Sequence, residues 1–150
     1  MTRRVLLVAS FASVALAGLT AQRRPASTTD TGWPSYGGNL AHQHYSPLAQ
    51  ITAANFAQLE PAWRFKTDAL GPRPEFKLEG TPVMANGRLY TTAGTRRAVV
   101  ALDARTGELQ WMHAEYEGAR AGNSPRQLSG RGVGYWTDGR DARVVYVTTG

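Results

Sequence analysis

The chain has 150 residues, no cysteine, and 17 Lys and Arg against 11 Asp and Glu, for a formal net charge of +6. The missing cysteines exclude a disulfide framework and a thiolate metal site, so packing alone must hold the fold. Basic residues stand mostly singly, without the Lys/Arg run interleaved with aromatics that a nucleic-acid stripe requires, and no nucleic-acid partner is expected.

Arg3 and Arg4 precede the apolar run Val5–Leu19, and Ala15-Leu16-Ala17 or Leu19-Thr20-Ala21 offers a small-residue cleavage site. This is the pattern of a secretory signal. An uncleaved anchor is the alternative, because the run is close to the lower limit for crossing a bilayer. Residues 1–21 are thus expected to be a signal peptide or N-terminal anchor. The protein would then be periplasmic, attached to the inner membrane if the segment stays. Removing the segment takes Arg3 and Arg4 with it, so 17 basic residues become 15 against 11 acids, a mild +4. Residues 22–32, rich in Ser, Thr and Arg with one Pro, read as a flexible spacer.

Folded chain is expected over 33–150. "WPSYGGNLAHQHYSPL" carries paired Gly and two Pro and reads as an ordered loop with aromatic anchors. Within it His42 and His44 form an H-x-H pair, but no third ligand stands at a recognised metal spacing, so two loop histidines are the better reading. Thr52 is placed as the N-cap of a short helix through about Leu59, ended by Pro61. "AWRFKTD" alternates as a strand, and "GPRPEFKLEGTP" follows as a loop. "VMANGRLYTTAG" gives strand, Asn86-Gly87 turn and strand. In "VVALDARTGELQW", Asp103 can bond the backbone two residues on and Gly107 can supply the positive φ of a tight turn, so residues 99–111 form a second hairpin. Arg96 and Arg97, between these hairpins, are read as solvated turn charges. "EYEGARAGNSPRQLSGRG" is expected to be a loop, and "VGYWTDGRDARVVYVTTG" a further strand, turn and strand.

Two internal echoes organise these elements. "RLYTTAG" at 88–94 matches "VVYVTTG" at 144–150, aligning Tyr90 with Tyr146, while "AWRF" and "QWMH" align Trp63 with Trp111. Both offsets are close to the repeat length of a four-stranded propeller blade. The expected fold class is all-β, a β-propeller of which this chain supplies one to two blades.

Ala101, Asp103, Gly107 and Trp111 match the tryptophan-docking motif of the pyrroloquinoline quinone (PQQ) dependent dehydrogenases, a family of eight-bladed propellers that the chain resembles from Trp33 onward. In that family the Trp of one blade lies between the motif's Ala and the Gly peptide of the next. The loop from Trp33 through "YSPL" into Trp63 is similar to the family's N-terminal signature. "RFKTDALGPRPEFKLEGTPVMANGRLY" and "SGRGVGYWTDG" look like its glucose- and alcohol-oxidising branches. The adjacent-Cys disulfide of the methanol-oxidising branch is absent, which argues against methanol dehydrogenase proper. Trp33, Trp63 and Trp136 are read as core or docking residues in preference to stacking platforms for a sugar or cofactor.

By this resemblance Glu79, in "LEGTP", aligns with a glutamate that reaches the PQQ pocket, and Arg131, in "GRGVGYW", with an arginine that contacts the quinone's reactive carbonyls. A tricarboxylate quinone needs a cation near it, and Arg can polarise the carbonyl that accepts hydride. The resemblance further implies an enzyme that oxidises an alcohol or aldose, with Ca²⁺ as Lewis acid, a carboxylate general base, and a quinone or cytochrome as electron acceptor. The base, the calcium ligands and the substrate pocket are expected beyond Gly150. The alternative is a non-catalytic propeller of the same repeat, acting as an envelope assembly scaffold.

Overall fold

The computed structural model describes residues 32–71, 77–95, 97–125 and 132–148. The expected signal segment and most of the expected spacer lie outside them, and among the described residues no helix is long and apolar enough to cross a membrane.

Four consecutive strands form an antiparallel meander: β1 Val83–Ala85, β2 Arg88–Ala93, β3 Ala98–Asp103 and β4 Leu109–His113, in that spatial order. The turns follow from their residues. Asn86 and Gly87, at φ 51° and 72°, occupy the two left-handed positions of a type I′ turn, whose twist matches the strands it joins. At the next corner Asp103 Oδ1 accepts the N–H groups of Arg105 and Thr106, both at 2.9 Å, and Gly107 closes the turn at φ 74° with its N–H 2.8 Å from Asp103 O. A second sheet pairs β5 Val133–Thr137 with β6 Ala142–Tyr146.

Sequence alternation shows how these sheets stack. On one face of the meander, Val83, Ala85, Tyr90 and Ala101 pack against Val133, Tyr135 and Val144 of the second sheet. On the other, Ala93, Val100 and Leu102 meet Trp63, Phe65 and Leu70. Because β3 is covered on both faces, its apolar run "AVVAL" does not alternate, whereas β4 is exposed along its length. The Tyr echo is also one of register: Val83 pairs with Tyr90, and Val133 with Tyr146. The two sheets are thus a whole blade and the first two strands of another, with a two-residue turn in the first and a longer one in the second.

Three local expectations are corrected. The helix placed from Thr52 shrinks to one 3-10 turn, Phe56–Gln58, with Asn55 at its N-cap. Thr52 takes part through its backbone, donating to Asn55 Oδ1 at 2.7 Å, which commits the asparagine side chain to a turn instead of a helix. Residues 62–68 half-bury Trp63, Phe65 and Thr67 alternately, as a strand would, yet join no ladder among the described residues. Part of the loop after β4 coils into a short helix, α1 Gly118–Gly122.

Turn carboxylates give both sheets a pH dependence. Hydrogen bonds from the Thr106 and Arg105 backbones hold the Asp103 carboxyl below its usual range, and those from Asp141 and Arg140 do the same for Asp138. Depressed folded values mean that this stabilisation is complete above the ordinary carboxylate value of 3.8 and is lost as pH falls through the lower folded value. The Arg105 and Thr106 amide resonances are expected to report that loss in an acid NMR titration. Asp103→Asn, which cannot ionise, should abolish the titration; amide shifts unchanged between the native and mutant proteins would refute the assignment.

Candidate functional site

The segment 77–81 leads into β1, and Gly132 leads into β5. These segments meet: a Cβ on Gly132 would lie 3.2 Å from Thr81 O and 3.3 Å from Thr81 N, with Gly80 Cα at 3.6 Å. Gly132 is buried and has φ 76°, so both its conformation and its neighbours call for glycine. The opposite ends of the same strands are joined by Asn86 Nδ2, which donates to Tyr135 Oη at 2.9 Å. β1 and β5 therefore run side by side in the same direction.

Glu79 stands on this rim, immediately before Gly80. Its carboxylate is 3.3 Å from Lys77 Nζ, and both side chains are open to solvent. Such an exposed pair contributes little to stability and leaves the acid able to change partners. Arg131 and Gly130 lie outside the described residues. What the structure brings together is the residue following Arg131 and the residue following Glu79.

Gly94, Arg97 and Thr148 lie at this same end of the sheets, and here the reading of Arg97 as solvated needs correcting, while Arg96 lies outside the described residues. Arg97 is 4% exposed, not solvated; its φ is 50°, its N–H donates to Gly94 O at 3.1 Å, and its Nη1 donates to Thr148 O at 3.0 Å. No local sequence signal marks this burial, because the carbonyl that Arg97 reaches follows β6, 51 residues away. His42 and His44 are exposed, both at φ 50°, with their rings against Tyr36 at 6.2 and 5.6 Å; among the described residues no group of three His, Cys, Asp or Glu gathers. Two depressions lie elsewhere. One, of about 370 Å³, opens between the sheets beside Arg88, Trp111, His113 and Tyr146; the other, of about 490 Å³, has no charged lining and sits at the Asn86 end.

Trp63 decides the architecture. A Cβ on Gly107 would fall 2.5 Å from Trp63 Cδ2 and Cε3, so the indole lies directly over the glycine, and Trp63 Nε1 donates to Ala104 O at 3.3 Å. Trp111, its counterpart on β4, stands opposite Ala101 in the ladder and remains 40% exposed. One Trp is thus docked on the Gly of the following motif, and the other flanks the Ala of its own. The family model described as "Glucose/ethanol/alcohol dehydrogenase, beta-propeller domain" and named for PQQ matches residues 33–150.

The chain belongs to this PQQ propeller family.

Among curated relatives, the quinohemoprotein alcohol dehydrogenase ADH-IIG of Pseudomonas putida is 39% identical over 105 residues, covering 69% of this chain and 14% of the relative. The quinoprotein glucose dehydrogenase of Escherichia coli is 36% identical over 124 residues, 78% of this chain and 15% of the relative. The crystal structure of the quinohemoprotein alcohol dehydrogenase from Comamonas testosteroni superposes with a TM-score of 0.59 at 32% identity, covering 71% of this chain and 15% of that one. The chain therefore spans about one seventh of the length of such relatives. The β-propeller expected from the repeats, and its PQQ type expected from the resemblance, are the fold of this family.

Proposed function

We propose that the full-length gene product is a PQQ-dependent dehydrogenase that oxidises an alcohol or aldose and passes the electrons to a quinone or cytochrome. Domain limits of 1–21 for the export segment, 22–32 for the spacer and 33–150 for the blades, with a periplasmic location, belong to this proposal. The observation that carries it is the contact of Gly132 with Gly80 and Thr81, which joins the segments bearing Arg131 and Glu79.

The residues fit the cofactor by chemistry. An aromatic tricarboxylate quinone calls for a cation, a hydrogen-bond acceptor for its protonated groups, and a rim free of bulky side chains. Arg131, Glu79 and the paired Gly80 and Gly132 supply these. Bound PQQ would provide the two-electron acceptor for the substrate's hydride. Arg131 would balance negative charge and Glu79 would orient the ring through hydrogen bonds. The general base and the Ca²⁺ ligands are assigned to residues beyond 150.

The test uses the full-length protein, prepared without cofactor and titrated with PQQ and Ca²⁺, with dye reduction across alcohols and aldoses as readout. Arg131→Ala is expected to weaken PQQ binding about 10- to 100-fold, the range for losing a charge-assisted hydrogen bond, and Glu79→Gln to weaken it less. A folded protein that binds no PQQ would establish the scaffold reading, which the Trp63–Gly107 docking serves equally well. Wild-type affinity in both variants would remove the two site assignments.

A further inference from the structure

We propose that Arg97 is a positioning residue for the cofactor rim, clamping the second blade to the first so that Gly132 stays against Gly80 and Thr81. The inference rests on the PQQ-dependent reading and adds to it a residue that does not itself touch the cofactor.

The geometry is that of a tie between sheets. Arg97 belongs to the turn joining β2 and β3, and its Nη1 reaches the carbonyl of Thr148 at 3.0 Å, beyond the end of β6. Thr148 lies two residues past Tyr146, the ladder partner of Val133, and Val133 lies two residues past Arg131. The anchor side of the tie is firm. Gly71 sits against Thr95 and Gly94 against the Leu70 backbone, both so closely that a Cβ on either glycine would overlap its neighbour. Among the described residues, side-chain hydrogen bonds tie the two sheets at both ends, Asn86 to Tyr135 at one and Arg97 to Thr148 at the other. Arg97 is at the end where Gly132 meets Gly80.

The choice of residue also argues for a role. A left-handed φ is unfavourable for a side chain as long as arginine, and a buried guanidinium is costly to desolvate. Glycine would remove both penalties. Were Arg97 only filling the turn, Arg97→Gly would be harmless to every property of the protein.

The experiment compares wild type, Arg97→Gly, Arg97→Gln and Arg97→Lys in the full-length protein. PQQ affinity is measured by fluorescence titration, and amide hydrogen exchange is followed in the cofactor-free state. Arg97→Gly is expected to keep the cofactor-free thermal midpoint at or above that of wild type while exchange at 133–137 and 144–148 speeds up and PQQ binds about tenfold more weakly, the effect of a rim that holds its binding-competent arrangement about a tenth of the time. Arg97→Lys, which keeps a cationic donor, should recover most of that affinity. Arg97→Gln keeps bulk and a donor without charge, and decides the matter if the glycine variant fails to fold. Unchanged PQQ affinity in the variants without the cation would overturn the proposal, as would weaker binding with unchanged exchange in the β5–β6 hairpin. If wild type binds no PQQ, the dehydrogenase reading fails on that measurement, while hydrogen exchange still decides whether Arg97 holds the hairpin.

Discussion

Gly107→Ala is expected to destabilise the protein by about 2–5 kcal/mol, combining the penalty of a left-handed φ with the strain of overpacking. Gly107 has φ 74°, and the added methyl would enter the Trp63 ring, 2.5 Å from two of its carbons. Neither cost can relax cheaply, since the Asp103 turn fixes the backbone and the cluster of Ala93, Val100 and Leu102 backs the indole. Thermal or denaturant unfolding of the full-length protein measures the loss. A cycle with Trp63→Ala separates the terms, because removing the ring should abolish the overlap and leave the φ penalty. Strict additivity of the two substitutions would show that the indole is not seated on Gly107.

Trp63→Ala alone is expected to cost about 3 kcal/mol, the lower part of the range for large aromatic truncations, because the ring is only partly buried. The loss has two components: apolar surface against Val100 and Leu102, and the hydrogen bond from Nε1 to Ala104 O. Trp63→Phe keeps most of the first and removes the second, so its expected cost is about 1 kcal/mol. Equal losses for the two variants in urea unfolding would mean that the hydrogen bond, not the packed area, holds Trp63 to the meander. A loss under 0.5 kcal/mol for Trp63→Ala, the size of an ordinary surface substitution, would contradict the docking geometry.

Short-range chemistry explains why much of the fold was legible. Asn86-Gly87 can form one kind of tight turn, and Asp103 with Gly107 another, so the hairpins around them followed from a few residues each. The Tyr90 and Tyr146 echo carried the repeat, and the ladder confirms it by pairing each tyrosine with a valine at the start of the preceding strand. Where the reading failed, the deciding partner was remote or was backbone. Arg97 looks like any turn charge until Thr148 arrives from the next sheet. The alternation of Trp63 and Phe65 reports which side is buried, and says nothing of whether a neighbouring strand is at hand. For the candidate site, Glu79 and Arg131 came through resemblance; the meeting of Gly132 with Gly80 and Thr81 needed three dimensions, since the two segments are far apart in the chain.

The reach of Trp63 sets an order of assembly. Its hydrogen bond to Ala104 closes a span of 41 residues, while the hairpin turns of the meander join adjacent strands. Loop-closure entropy favours the short connections, so the hairpins from Val83 to His113 can zip up first and present Gly107 as a finished seat. Trp63, already outside the ribosome by then, docks backward onto a surface synthesised after it. In each such step a tryptophan laid down earlier in the chain finds a seat completed after it. A propeller built this way grows vectorially, every completed blade being both the product of one docking event and the template for the next.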